Sequence, residues 1–216
     1  MNEELDLFNP NVLERLSLAR VEGLQIRPLK SNDYDKGNIS IIRAKMLVYQ
    51  WTSSLGFTQL LAQLTDVGNV TKEQFLHRFQ EMKNAGGYYV VVIEDLDTGK
   101  IVASATLVTQ QKFIHNCGLR GHLEDVVVNK TYRGKHLGKL VVTVVLQLAR
   151  YFHCYKMSLD CQDKLIPFYE SLGFKREPNN ANVLNMRNIY IRNKTVKGYQ
   201  GNTSLSYYHI DLEQYL

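Results

Sequence analysis

One segment constrains the fold of this chain more than any other, because a strand, a basic loop and a helix follow one another within it. The run Val126–Val128 is typical of a central strand that is covered on both faces. Leu137–Phe152 has apolar residues at 137, 141, 144, 145, 148 and 152, which is helical spacing. This order of elements indicates an α/β fold.

The loop between this strand and this helix has the features of an anion site. The first turn of a helix offers unpaired backbone N–H groups and the positive end of the helix dipole. Gly134 and Gly138 allow close approach of a phosphate, and Arg133, Lys135 and Lys139 add positive charge. An ordinary connection with basic surface residues explains the loop alone about equally well.

The composition excludes several other classes of protein. A chain of 216 residues with 44% hydrophobic and 22% charged residues buries a core in one domain and is not disordered. It has no apolar run of the roughly 18 residues that a membrane helix requires, and its acidic start does not resemble a secretory signal. Thirteen tyrosines do not alternate with basic residues as in a nucleic-acid surface.

The cysteines and the charge carry little functional information. Cys117, Cys154 and Cys161 are an odd number without a CxxC pair, which predicts reduced thiols in the cytoplasm or nucleus. None of them has the neighbouring His and Asp of an activated nucleophile. A net charge of +5 suits an anionic substrate, although a solvated basic surface is the commoner explanation.

The remaining pattern predicts a mixed sheet with helices on both faces. Thr71 followed by Gln74 forms a capping box that opens a helix through Lys83. The other predicted helices are a turn within Asn11–Arg20, one opening at Ser31–Asp33, Leu137–Phe152 and Ile166–Leu172. The predicted strands are Leu24–Leu29, Tyr88–Glu94, Lys100–Thr109, His122–Val128, Tyr155–Cys161 and one beginning at Phe174.

A second motif identifies a family. Residues 167–174, PFYESLGF, contain the pattern Phe-Tyr-x-x-x-Gly-Phe, while Arg133 and Gly138 match the loop pattern Gln/Arg-x-x-Gly-x-Gly/Ala. His136 stands where the first glycine of that loop is usual. The chain thus resembles the GCN5-related N-acetyltransferase (GNAT) family. The resemblance implies a GNAT fold, acetyl-CoA as co-substrate and no metal.

Further segments resemble the glucosamine 6-phosphate N-acetyltransferases within that superfamily. These segments are Gln63–Gly68, Lys112–His115, Glu124–Val126, Cys154–Lys156 and Asp160–Cys161. The resemblance implies acetyl transfer to the 2-amine of D-glucosamine 6-phosphate, in UDP-N-acetylglucosamine biosynthesis in the cytoplasm. It also implies a homodimer without nucleic-acid or membrane partners. A GNAT acting on another amine, or a weakly active isoform that binds CoA or a partner subunit, are the alternatives.

The resemblance also assigns roles to residues. Asp160 would orient the amine or accept its proton, Tyr169 would stabilise or protonate the CoA thiolate, and Glu124 would hold the substrate. A solvated carboxylate and a core tyrosine are the alternatives for Asp160 and Tyr169. The implied substrate residues are Thr65, Lys112, Phe113, Ile114, His115, Glu124, Asp125, Val126, Tyr155, Lys156, Asp160 and Arg187. The implied acetyl-CoA residues are Val126, Val127, Val128, Arg133, Gly134, Lys135, His136, Leu137, Gly138, Tyr169, Glu170 and Ser171.

Two stretches depart from the family pattern. We divide the chain into a polar leader (1–23), a GNAT domain (24–187) with an insertion at about 38–55, and a tail (188–216). The insertion interrupts what would otherwise be one helix leading to Thr65. Our hypothesis is that one or both stretches derive from unspliced coding sequence. Peptides that span Asp35–Arg43 in a digest of the native protein would refute it for the insertion.

Overall fold

A five-stranded sheet forms the centre of the computed structural model, which describes residues 4–34 and 56–177. The first four strands along the chain pair antiparallel with one another, and the fifth runs parallel to the fourth. The sheet order β1-β2-β3-β4-β5 confirms the predicted mixed sheet. The strands are Leu24–Pro28 (β1), Tyr88–Asp95 (β2), Lys100–Gln111 (β3), Leu119–Val128 (β4) and Cys154–Leu159 (β5).

Helices cover both faces of this sheet, because alternate residues of its strands are apolar on both sides. In β2, Val91 and Ile93 pack in the core cluster that contains α5, while Val90 and Val92 pack in the cluster that contains α2 and α3. None of the described helices combines the length and apolar character needed to span a bilayer. The helices are Asn11–Glu14 (α1), Phe57–Leu61 (α2), Lys72–Ala85 (α3), Ile114–Cys117 (α4), Leu137–Tyr151 (α5) and Ile166–Glu170 (α6).

The capping box at Thr71 was confirmed, whereas the strand predicted to begin at Phe174 does not begin there. Residues 31–34, where another helix was predicted to open, form a turn, and the remainder of that prediction lies outside the described residues. The Thr71 hydroxyl accepts a hydrogen bond from Gln74 N–H, and the Gln74 side chain accepts one from Thr71 N–H, which completes the capping box. Phe174 pairs with no strand in the described part of the chain. Its N–H instead bonds Tyr169 O at 3.2 Å, and its ring packs edge-on against Tyr169. Phe174 therefore closes α6 rather than extending the sheet.

The segment that the sequence suggested was a polar leader is packed onto the domain. Leu7 and Leu13 are only 3% and 6% exposed, and Leu7 N–H bonds Leu29 O at 2.8 Å. A bridge between Asp6 and Lys30 continues the pairing beyond the end of β1. Leu5, Phe8, Val12, Leu16 and Leu18 also pack against the core, so burial of apolar side chains attaches this segment to the domain.

A buried ion cluster fixes the turn that follows β1. The Arg27 guanidinium donates two hydrogen bonds of 2.7 Å to Asp33 and one of 2.7 Å to Glu94. All three residues are buried. Burial acts to lower the pKa of Arg27, but its bonds and charge pairing with the two carboxylates raise it overall.

Tyr34 and Gly56, on either side of residues 35–55, lie next to each other in space. Phe57 N–H donates to Asp33 O at 2.9 Å, although 24 positions separate the two residues. A Cβ atom on Gly56 would lie 2.2 Å from Tyr34 O, so only glycine fits at that point. The predicted insertion falls largely within residues 35–55 and, like the tail and Arg187, lies outside the described residues.

Candidate active site

The strands β4 and β5 separate part-way along their length. Their pairing begins at Leu119 and Cys154 and ends at Leu123 and Leu159. The strand β5 ends at Leu159, whereas β4 continues to Val128. In the part of the chain that the structure describes, residues 124–128 of β4 therefore have no neighbour on the β5 side. Their backbone groups are open to a ligand there.

A β-bulge in β4 lies where the two strands separate. Thr106 pairs with Glu124 and Ser104 with Val127, so Ala105 of β3 faces both Asp125 and Val126. Asp125 adopts a left-handed conformation with φ 50°. A bulge interrupts the ladder and redirects the backbone, as is common beside active sites. Desolvation raises the pKa of the Asp125 carboxyl above its ordinary value.

The basic loop after β4 leads directly into α5. Gly134 and His136 are both left-handed, with φ values of 82° and 59°. His136 therefore takes the conformation that favours the glycine usual at this place in the family motif, at a cost of about 1–2 kcal/mol. Arg133, Lys135 and His136 are exposed. The structure thus presents basic side chains at the N-terminus of a fifteen-residue helix.

Three contacts that the sequence did not suggest hold this loop in place. The Tyr132 hydroxyl donates to Asp95 Oδ2 at 2.6 Å, which ties the loop to the end of β2. The Lys135 ammonium lies 4.9 Å from the centre of the Tyr132 ring. Lys130 N–H donates to Gln63 Oε1 at 2.8 Å, which ties the loop to the turn that carries Thr65.

The second motif packs against the first. A Cβ atom on Gly138 would lie 3.6 Å from both Phe168 and Val128, so the start of α5 adjoins α6 and the end of β4. Tyr169, in α6, is 8% exposed, and burial raises the pKa of its phenol. The phenol therefore stays protonated at neutral pH and can act as a proton donor. Glu170 and Ser171 are exposed beside it.

Two predicted carboxylates meet at the opening between the strands. Asp160 follows β5 directly, and Glu124 lies on β4 beyond the last paired residue. The His122 Nε2 atom is 3.8 Å from Asp160 Oδ2 and 4.0 Å from Glu124 Oε1. Both carboxylates are exposed. The structure brings both close to His122, which no sequence motif indicated.

A second group of predicted substrate residues lies at the opposite end of β4. His115 belongs to α4, in which three consecutive residues from 115 to 117 are left-handed. Its ring stacks on Tyr155 with centroids 4.1 Å apart. Tyr155 is the extra residue of a bulge in β5, and Lys156 forms a 2.7 Å ion pair with Glu177. Phe113 is 98% exposed beside them.

The predicted substrate residues are thus divided between two ends of one strand. Lys112 N–H bonds Gly118 O, just before β4 begins, while Glu124 lies five residues after Leu119. A strand rises about 3.3 Å per residue, so about 16 Å of backbone separates the two ends. Thr65 lies toward the end of β4 that carries Glu124, because Gln63, in the same turn, accepts a hydrogen bond from Lys130 N–H just beyond β4. Within the ranges 4–34 and 56–177, no three His, Cys, Asp or Glu side chains group as metal ligands.

Comparison with known proteins adds a family to this geometry. Residues 55–174, just over half of the chain, match the Acetyltransferase (GNAT) family. The chain belongs to the GNAT acetyltransferase family. The opened strands, the loop before α5 and Tyr169 all lie within the matched part of this GNAT.

Individual relatives cover most of this GNAT. A Drosophila melanogaster protein named a probable glucosamine 6-phosphate N-acetyltransferase is 47% identical over 202 residues, covering 87% of this chain and 84% of its own. A Dictyostelium discoideum glucosamine 6-phosphate N-acetyltransferase is 36% identical over 157 residues, covering 72% and 87%. The crystal structure of the Arabidopsis thaliana enzyme of that name has a TM-score of 0.63 at 35% identity, covering 78% and 99%.

Proposed function

We propose that this GNAT transfers the acetyl group of acetyl-CoA to the 2-amine of D-glucosamine 6-phosphate. The product is N-acetyl-D-glucosamine 6-phosphate, a precursor in UDP-N-acetylglucosamine biosynthesis. The single observation that carries the proposal is the opening between β4 and β5, with Glu124 and Asp160 beside its entrance. The named substrates of its relatives identify the amine. The free thiols fit a reducing compartment, and we propose a cytoplasmic location.

The residues around the opening fit acetyl-CoA as the acetyl donor. The open backbone of Val126–Val128 pairs with the pantetheine arm as an added strand would. The amide at Val126, in the bulge, stabilises the oxyanion of the tetrahedral intermediate. The amides from Gly134 to Gly138, with Arg133 and Lys135, hold the diphosphate at the start of α5.

The reaction needs no covalent intermediate on the protein. The amine nitrogen attacks the thioester carbon, a C–N bond forms and the C–S bond breaks. Asp160 orients the amine and accepts its proton, directly or through a water molecule, while Glu124 and Asp125 bind the sugar. Tyr169 donates a proton to the departing thiolate, for which its buried, protonated phenol is suited.

Two copies of the chain would complete each substrate site. Lys112, His115, Tyr155 and Lys156 lie near the start of β4, about 13–16 Å along the strand from the carboxylates of their own chain. We propose that they serve the sugar phosphate of the neighbouring subunit in a homodimer. The exposed side chains of Phe113 and Ile114 give the partner an apolar surface at the same place.

Phe113→Asp is expected to convert a dimer into monomers, because a carboxylate buried in the interface opposes association. The same substitution is expected to lower kcat, because each site then lacks the residues of its partner. Sedimentation velocity and the activity of the same samples measure the two effects. Leu96→Asp, at an exposed apolar site on the β2–β3 turn, is the matched control and should change neither. An active wild-type protein that sediments as a monomer would remove the shared site.

Tyr169→Phe is expected to lower kcat by about 10-fold, somewhat less than a general acid usually contributes, because a thiolate is a good leaving group. Its affinity for acetyl-CoA should change little, since the ring and its packing remain. Thiol release and calorimetric binding measure the two quantities. Tyr151→Phe, which loses a hydroxyl at the far end of α5, is the control. Unchanged turnover in Tyr169→Phe would remove the proton-donor role.

One assay tests the proposed function itself. Purified full-length chain, acetyl-CoA and a thiol reporter are combined with glucosamine 6-phosphate, glucosamine or a polyamine. CoA release with glucosamine 6-phosphate but not glucosamine supports the proposal. Activity only with other amines indicates a different GNAT substrate, and acetyl-CoA binding without turnover indicates a weakly active isoform.

A further inference from the structure

A chain of polar contacts runs along the paired part of β4 and β5 and ends at the two carboxylates. His122 and Ser158 are register partners, and Ser158 Oγ lies 2.9 Å from His122 Nδ1. Arg120 Nη2 donates to the same hydroxyl oxygen at 3.0 Å. The other ring nitrogen, Nε2, is 3.8 Å from Asp160 Oδ2 and 4.0 Å from Glu124 Oε1. Arg120, His122 and Ser158 are not among the predicted site residues.

The Ser158–His122 contact can run in either direction, and the bond from Arg120 favours the one in which the hydroxyl donates to the ring. A guanidinium can only donate, so Ser158 Oγ must accept from Arg120. The hydroxyl has one hydrogen, and His122 Nδ1 is the acceptor that the structure provides for it. A neutral imidazole that accepts at Nδ1 carries its hydrogen on Nε2. That N–H faces the carboxylates of Asp160 and Glu124.

We propose that Arg120 and Ser158 hold His122 in the tautomer with hydrogen on Nε2, and that this hydrogen positions Asp160 and Glu124 for the amine. The assignment of the amine to these carboxylates rests on the proposed function. Two carboxylates beside one another repel, and a donor between them keeps both turned to the same point. The distances of 3.8 and 4.0 Å are closed by a small side-chain rotation or by one water molecule. His122 is a positioning residue.

Two substitutions at His122 separate its two ring nitrogens. In His122→Asn the amide occupies the position of Nδ1, so the contact with Ser158 remains and the donor to the carboxylates is lost. In His122→Gln the amide nitrogen reaches the position of Nε2, so the donor is retained. His122→Asn is expected to lower kcat by about 10- to 100-fold, the effect of misplacing a reacting group by about 1 Å. His122→Gln is expected to keep most of the activity.

The comparison is made with whichever amine the wild-type chain acetylates, so a wrong substrate overturns the proposed function and leaves this test intact. Acetyl-CoA affinity and unfolding midpoints should be equal in the two variants. An equal loss of kcat in both, or no loss in His122→Asn, would overturn the positioning role.

The tautomer can be observed without any activity. Long-range ¹H–¹⁵N correlation spectra at mildly alkaline pH should show the hydrogen of His122 on Nε2, with the signal assigned by its absence in His122→Asn. Ser158→Ala should shift His122 toward a mixture of tautomers, whereas Ser17→Ala, which removes an exposed hydroxyl of the segment before β1, should not. Hydrogen on Nδ1 in the wild-type chain would contradict the proposal even if the chain were inactive.

Discussion

Asp160→Asn is expected to lower kcat by about 10²- to 10⁴-fold, the range that a general base contributes. The amide keeps the shape of the carboxylate but cannot accept the proton that the amine must lose. Binding of acetyl-CoA should be unchanged, because its proposed contacts lie on β4 and in the loop before α5. Steady-state thiol release measures kcat, and isothermal calorimetry measures the affinity.

Asp163→Asn is the matched control for that variant. Asp163 is exposed, lies three residues beyond Asp160 and belongs to the turn before α6. Its substitution removes the same charge from the same surface and should leave kcat near the wild-type value. If Asp160→Asn retains full turnover, Asp160 neither orients the amine nor accepts its proton, and Glu124 becomes the remaining carboxylate for that task.

Arg27→Met is expected to lower the free energy of unfolding by about 3–5 kcal/mol. The substitution removes the guanidinium that donates to Asp33 and Glu94 and leaves both carboxylates buried. The methionine side chain fills part of the same volume, so the loss is electrostatic rather than a cavity effect. Urea unfolding followed by circular dichroism measures it.

Arg20→Met provides the comparison for the ion cluster. Arg20 is exposed, and surface substitutions of this kind change stability by at most about 0.5 kcal/mol. Adding Glu94→Gln to Arg27→Met should recover part of the loss, because one buried charge is then removed. Equal stabilities of Arg27→Met and Arg20→Met would show that the cluster contributes little to folding.

The sequence predicted those parts of the fold that local chemistry determines. The capping box at Thr71 and Gln74 and the apolar spacing of α5 depend on residues a few positions apart, and both are present. The family motifs assigned Glu124 and Asp160 to the substrate, and in the structure each lies within 4.0 Å of His122 Nε2; their roles stay predictions.

Contacts between residues far apart in the sequence could not be predicted from it. Arg120, His122 and Ser158 meet only because β4 and β5 pair in one particular register, and none of them stands out in the sequence. Leu7 and Leu13 are buried against strands and helices far along the chain, and composition alone did not indicate that the first segment packs there. A strand was predicted to begin at Phe174, but the N–H group of Phe174 donates to Tyr169 O in α6 instead of to a neighbouring strand.

The adjoining positions of Tyr34 and Gly56 make this domain tolerant of changes in chain length at one point. The Asp33–Phe57 hydrogen bond already brings the two sides of residues 35–55 together, so any connection that spans this short gap suffices. Doubling or halving the length of a loop changes its closure entropy by only about 0.6 kcal/mol. Transcripts that encode a longer or shorter peptide here would therefore yield the same folded catalytic unit, provided that glycine is kept at the return point.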